Sequence, residues 1–146
     1  MTRNFLFLLL TLSAVSAQAS VGEFMFVSGT VTVKSSTGQS RQAKKGQEVD
    51  LGDTVSTSTA STAQIRMSDG GFLAVRPQSE IRVDSYSFHD KRSDNSTISL
   101  VKGSFRAITG LIGKNNPRND LVRTPTATIG IRGTDHEVAY IPPKGE

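Results

Sequence analysis

Short runs in which apolar residues alternate with polar ones recur along this chain, each closed by a turn-forming cluster, and that rhythm limits the fold more than any other feature. Val31 and Val33 share one face while Thr30, Thr32 and Lys34 take the other. Ala63, Ile65 and Met67 alternate with Gln64 and Arg66, and Ser68-Asp69-Gly70-Gly71 closes that unit as a hairpin. Leu73 and Val75 resume the inward phase, residues 77–79 turn the chain, and Ile81 and Val83 continue it with Arg82 facing out. No window carries the helical apolar spacing that a helix longer than two turns would need. The chain is therefore predicted to be all-β, a single domain of short antiparallel strands forming a sandwich, barrel or roll, with almost no helix.

The punctuation between these runs predicts where the backbone turns. Gly52-Asp53 lies among Val49, Leu51 and Val55 and reads as a corner, because glycine tolerates unusual dihedrals and aspartate bonds back to nearby amides. Residues 89–96, HDKRSDNS, hold no apolar residue and are expected in solvent, as a long loop or mobile hairpin tip that divides the domain into halves. Ile98 and Leu100 form a strand, Gly103 breaks its ladder, and Phe105 and Ala107 begin another. Residues 114–120, KNNPRND, are read as a second solvated loop.

The first nineteen residues stand apart, with Arg3 preceding an apolar core and Ala17-Gln18-Ala19 supplying a cleavage site before Ser20. They are read as a cleavable signal peptide, leaving residues 20–146 as the folded domain, periplasmic or secreted. The chain has no cysteine, so disulfides, thiol catalysis, cysteine metal sites and lipid attachment through an N-terminal cysteine are all excluded. Its 17 Lys and Arg against 13 Asp and Glu give +4, of which Arg3 leaves with the leader. Such a mild surplus without interleaved aromatics argues against nucleic acid and fits anionic envelope polymers better.

A sharper signal lies in the ordered glycine and aspartate corners. Gly29-Thr30-Val31, Gly52-Asp53, Asp69-Gly70, Leu100-Val101-Lys102-Gly103 and a terminal Thr124-Pro125-Thr126-Ala127-Thr128-Ile129-Gly130-Ile131-Arg132-Gly133-Thr134 follow one another with the order and spacing of the FecR domain, which the chain resembles over about residues 29–140. The resemblance implies an all-β domain, a twisted β-roll or solenoid-like sandwich, outside the cytoplasmic membrane, which in signalling members passes a signal from an outer-membrane receptor to a sigma factor. It implies no enzymatic activity. Signalling members place an anti-sigma segment and a transmembrane helix before this domain, whereas here a leader stands in that place, so a freestanding exported version is expected.

The remaining candidate chemistry is thin. There is no Gly-x-Ser-x-Gly elbow, and the histidines are His89 in a polar loop and His136 in the last strand. Asp135, His136 and Glu137 alternate faces and cannot converge on one metal, so His136 is read as a strand histidine satisfied by a backbone or carboxylate partner. Asp53, Asp69, Glu80, Asp84 and Glu137 are the carboxylates open to a glycosidase pair, and each reads better as a turn or surface group. No helix follows Gly130-Ile131-Arg132-Gly133, which excludes a phosphate cradle.

Arg132 is expected to tie the last strand to an acidic corner such as Asp53 or Asp69, with Gly130 and Gly133 permitting close packing and Thr134 satisfying a turn; a binding role is the alternative. Arg41, Lys44, Lys45, Lys91, Arg92, Lys114 and Arg118 could line a surface for anionic polymer, and Phe72, Tyr86, Phe88 and Tyr140 are assigned to the core rather than to a sugar platform. The predicted function is a non-catalytic binding or sensory, signal-relaying module of the bacterial envelope, with no cofactor or metal. Its partner is expected to be an envelope protein or an anionic envelope polymer. The alternatives are a structural or assembly role, made plausible by edge strands that accept an added strand, or binding of cell-wall polysaccharide or peptidoglycan. An envelope hydrolase stands last.

Overall fold

A computed structural model describes residues 19–145, so the proposed leader lies, but for Ala19, outside the described residues. Twelve strands follow: β1 (Ser20–Ser28), β2 (Val31–Lys34), β3 (Ser40–Gln42), β4 (Glu48–Asp50), β5 (Thr54–Thr57), β6 (Thr62–Met67), β7 (Phe72–Val75), β8 (Glu80–Ser87), β9 (Asn95–Ile108), β10 (Asp120–Arg123), β11 (Thr128–Gly130) and β12 (Asp135–Tyr140). They form one curled sheet that folds into two layers. One layer runs β4-β1-β6-β7-β9-β12, and the other runs β3-β2-β5-β8-β9-β10-β11. The long strand β9 belongs to both.

The alternation in the sequence decides which side chains meet between the layers. Phe24, Ala63, Ile65, Leu73, Val75, Phe105 and Val138 come from the first layer, and Val31, Val33, Val55, Ile81, Val83, Ile98, Leu100 and Val122 from the second. All are buried in one continuous apolar core. Since the chain has no cysteine, this burial and the strand ladders hold the described fold, at roughly 25 cal/mol for each Å² of apolar surface removed from water.

Two glycines let the chain pass from layer to layer, and each rests on a serine. At Gly29, between β1 and β2, φ is +74°, and at Gly103, inside β9, it is +81°. The amide following each glycine donates to a serine hydroxyl: Thr30 N to Ser61 Oγ at 2.9 Å and Ser104 N to Ser79 Oγ at 2.9 Å. Each serine closes a tight turn whose middle residue is left-handed, Ala60 at φ +54° and Gln78 at φ +53°, and its hydroxyl donates to the carbonyl two residues back. A side chain at either glycine would strike its serine, so the backbone can cross only where Cβ is absent. Gly103 thus bends one continuous strand, where the sequence suggested a break between two.

Other local expectations are corrected by pairing. Strands β9 and β10 run parallel, with Asp120 opposite Ser96 and Arg123 opposite Ser99, in an otherwise antiparallel fold. A parallel pair needs a crossover, since the chain must return to the same end before pairing. The crossover holds a short helix, α1 (Leu111–Asn115), and a 3₁₀ turn at Pro117–Asn119. Residues 114–120 are therefore solvated as expected, most of their side chains being exposed, but form helix, 3₁₀ turn and the start of β10 rather than loop. Residues 89–96 form the tip of the β8 to β9 hairpin, one of the two forms expected, but do not divide the domain, and Asp94 within them is buried, accepting from the amides of His89 and Lys91 at 2.9 Å each.

Candidate binding surface

The outer face of the second layer carries a groove of about 290 Å³ in which the charged and hydroxyl groups of Arg82, Asp84, Ser99, Arg123 and Thr124 stand beside the apolar surfaces of Leu100, Val101 and Pro125. Pairing explains the cluster. Arg82 lies opposite Ser99 on β9, and Ser99 lies opposite Arg123 on β10, so three strands place these side chains in one row on one face. Arg82 Nε bonds Asp84 Oδ1 at 2.5 Å, and the Ser99 hydroxyl donates to Asp84 Oδ2. Burial pushes the Asp84 carboxyl up, but the bonds from Arg82 and Ser99 and the nearby charges of Arg82 and Arg123 win and hold it below its ordinary range. The Arg123 guanidinium is exposed and makes no ion pair or hydrogen bond among the described residues.

One wall of the groove belongs to the closing motif. Thr124-Pro125-Thr126-Ala127 is the turn between β10 and β11; Thr124 N donates to Ala127 O at 2.8 Å and Ala127 N to Thr124 Oγ1 at 3.1 Å. Proline at the second position supplies the fixed φ such a turn uses. Beyond it Gly130 ends β11 with open space around its Cα, and Gly133 adopts φ +121° before β12. Thr134 O accepts from Thr109 N at 2.9 Å.

Arg132 does not do what its neighbours suggested. It is exposed and, among the described residues, has no ion-pair or hydrogen-bond partner. Asp53 is instead held by Arg41 Nη2 at 3.1 Å and by Asp50 N at 3.1 Å, beside Gly52 at φ +86°. The last strand is tied down by its own acids, Asp135 to Arg106 and Glu137 to Arg76 at 2.8 Å. Sequence separation concealed these pairs, because a cross-strand partner is chosen by register and not by proximity along the chain.

A second polar feature lies inside the fold, where Asp69, Tyr86, Ser96, Thr109, Asp120 and His136 line a cavity of about 30 Å³. Asp69 Oδ1 accepts from Gly71 N at 3.0 Å in the hairpin closed by Gly70, and Oδ2 accepts from Ile112 N at 3.1 Å in α1. Gly110 must lack a side chain because a Cβ there would lie 2.2 Å from this carboxylate. Asp69 N donates to Tyr86 Oη at 2.9 Å. Burial, and after it the charge of Asp69, pushes the Asp120 carboxyl up to about 6, against a bond from Ser96. Burial and the same charge raise the Tyr86 phenol.

The acid pair formed by Asp69 and Asp120 went unread in the sequence, since Asp120 sits in a stretch that looked like solvated loop. The cavity has room for ordered water, one molecule of which needs roughly 10 to 15 Å³ of such space, and is too small for a sugar ring. Thr109 Oγ1 and His136 Nδ1 are buried there without protein partners. His136 therefore lacks the backbone or carboxylate bond expected of it; its ring packs edge-on against Phe105, and burial lowers its pKa.

The remaining candidates are dispersed. Lys91 and Arg92 are drawn toward Lys114 and Arg118, because Asn116 and Asn119 side chains both donate to Arg92 O at 3.2 Å. Arg41 is occupied by Asp53, and Lys44 and Lys45 stay exposed in the β3 to β4 connection. Tyr86 and Tyr140 pack against the core, half-buried, and Phe72 and Phe88 are also half-buried. No group of three or more His, Asp or Glu among the described residues is placed to hold a metal.

The family model described as FecR protein matches residues 53–144. Among solved structures, one titled "Cell surface anchoring domain" is similar at 30% sequence identity with a TM-score of 0.43, covering 44% of this chain and 84% of that one. No curated protein matches the sequence.

Proposed function

From the premise that the chain belongs to the FecR protein family, we propose that it is a non-catalytic binding module of the bacterial envelope. Its ligand is held on the outer face of the second layer, and any signal it relays follows from that binding. The observation that carries this reading is the groove whose wall is the closing turn, Thr124-Pro125, and whose floor is the Arg82, Ser99 and Arg123 row. The acid pair supports a non-enzymatic role. Asp69 spends both oxygens on backbone amides, and the space it shares with the half-buried Asp120 is about 30 Å³, too small to admit a sugar or peptide substrate.

Retention tests this directly. The immobilised protein is expected to retain an envelope component, whether a polymer from a purified cell-wall panel or a protein from envelope extract. Retention of nothing from either source refutes the binding reading, and turnover of any glycan or peptide in a substrate panel refutes the non-catalytic one.

A further inference from the structure

The row that floors the groove continues across the whole second layer. Successive pairings put Ser40 opposite Lys34, Lys34 opposite Thr54, Thr54 opposite Arg82, Arg82 opposite Ser99, Ser99 opposite Arg123, and Arg123 opposite Thr128. Directly opposed residues share a face, so seven strands present one line of side chains outward. The line alternates strictly between hydroxyl and cation: Ser, Lys, Thr, Arg, Ser, Arg, Thr. All seven are exposed or half-buried.

Three features give this line a binding chemistry. Its cations fall on every second strand, which at about 4.8 Å per strand sets Lys34, Arg82 and Arg123 roughly 9 to 10 Å apart along the row. Lys34 and Arg123 make no ion pair among the described residues, so their charge is open to a ligand. The acids on the same face are already engaged: Asp84 by Arg82 and Ser99, and Glu80 by Ser56 Oγ at 3.2 Å, with Lys102 as its cross-strand neighbour. Arg82 spends Nε on Asp84 and keeps the rest of its fork, its side chain being 51% exposed.

We propose that this row is a binding track for an acidic polysaccharide, a flexible glycan carrying one carboxylate for every two sugar rings, with carboxylates on Lys34, Arg82 and Arg123 and ring hydroxyls on the serines and threonines between them. The proposal rests on the binding reading above and names its ligand class and its site. Charge complementarity selects an anion, the regular spacing selects a repeating one, and the intervening hydroxyls select a ligand rich in hydroxyl groups. The twist of about 20 to 25° between neighbouring strands makes the row helical, which demands a chain that can wrap. Phosphate headgroups of a bilayer present a plane instead, and a plane touches only part of a twisted row.

The test uses the full chain with hyaluronate, which carries one carboxylate per disaccharide, beside neutral dextran and phosphatidylglycerol vesicles. Hyaluronate is expected to bind, dextran and vesicles are not, and the affinity should fall steeply as salt rises from low to physiological strength. Lys34→Gln and Arg123→Gln are each expected to weaken binding by roughly three- to tenfold, the scale of one ordinary hydrogen bond's net contribution at an exposed site. Lys91→Gln and Lys114→Gln, on the crossover end, are expected to leave it unchanged. Both row positions are solvent-facing, and unchanged melting of the variants excludes misfolding.

Absence of hyaluronate binding, equal binding to vesicles or dextran, or loss centred on Lys91 and Lys114 overturns the proposal. If hyaluronate fails while an envelope protein is still retained, the track is refuted and the binding reading stands. Retention of nothing at all refutes both.

Discussion

Replacing Gly103 by alanine probes the crossing on which the two-layer fold depends. The added Cβ would lie 2.2 Å from Ser79 Oγ, 2.6 Å from Ser79 Cα and 2.7 Å from the Gln78 carbonyl, at φ +81°. Three costs follow: left-handed backbone for a residue with Cβ, on the order of 1 to 2 kcal/mol; overpacking against buried backbone, about 1 to 3 kcal/mol; and the strained bond from Ser104 N to Ser79 Oγ, about 1 kcal/mol. A total near 4 kcal/mol is about a 12 to 20 °C drop in melting temperature for a domain of this size. Gly38→Ala separates the costs, because Gly38 has φ +91° and no atom within 4 Å of the built Cβ. It should lose only the backbone part, roughly 1 kcal/mol.

The paired crossing sharpens the test. At Gly29 every close contact belongs to Ser61, its Oγ at 2.3 Å, Cβ at 2.9 Å and Cα at 3.0 Å. Ser61→Gly should therefore rescue much of the loss in Gly29→Ala, whereas Ser79→Gly should rescue less in Gly103→Ala, since the Gln78 carbonyl remains. Thermal unfolding followed by circular dichroism reads all five proteins. If Gly103→Ala melts within a few degrees of Gly38→Ala, the steric account of the crossing is wrong.

The carboxyl of Asp120, raised from 3.8 to about 6, stays protonated in the fold while the unfolded chain ionises, so its cost to stability appears as pH rises from 3.8 to 6 and persists above. The cost is about 3 kcal/mol if fully expressed, and on the order of 1 to 2 kcal/mol after solvent screening of a partly exposed group. Asp120→Asn should thus gain stability over the natural chain at pH 7 and not at pH 3.5, by denaturant titration; an equal gain at both refutes the assignment. Comparing the two proteins also cancels His136, whose lowered pKa costs stability as pH falls below 6.5. Arg41→Ala strands a buried Asp53 carboxylate and should cost about 2 to 3 kcal/mol, the upper range for a hydrogen bond to a charged group, partly recovered by Asp53→Asn; no shift in denaturant midpoint would refute the pairing. Arg132→Ala should leave melting within about a degree, since surface residues without partners change stability little, and a large drop would show an undetected contact.

The period of two in Ala63 to Met67 and in Ile81 to Val83 was legible because alternation is a local property: each side chain's face follows from its own backbone and its neighbours. The same locality made Asp69-Gly70 and Gly52-Asp53 readable as turns. What failed was whatever depends on a distant strand. Arg132 looked like the natural partner of Asp53, yet register handed that acid to Arg41 and left Arg132 in solvent. Gly103 looked like a break because nothing near it in sequence announces Ser79, the residue on which the continuous strand bends.

The sequence by itself determined an all-β chain of the FecR type, the apolar set that fills its core and the positions of its turns. Only the tertiary structure decided that β10 runs parallel to β9, that Asp69 and Asp120 line one cavity, and that Lys34, Arg82 and Arg123 stand on one row. The physical reason is register. A strand's pattern says which side chains point the same way, but a shift of one residue against its neighbour reverses that neighbour's faces, and only the packed core selects the shift.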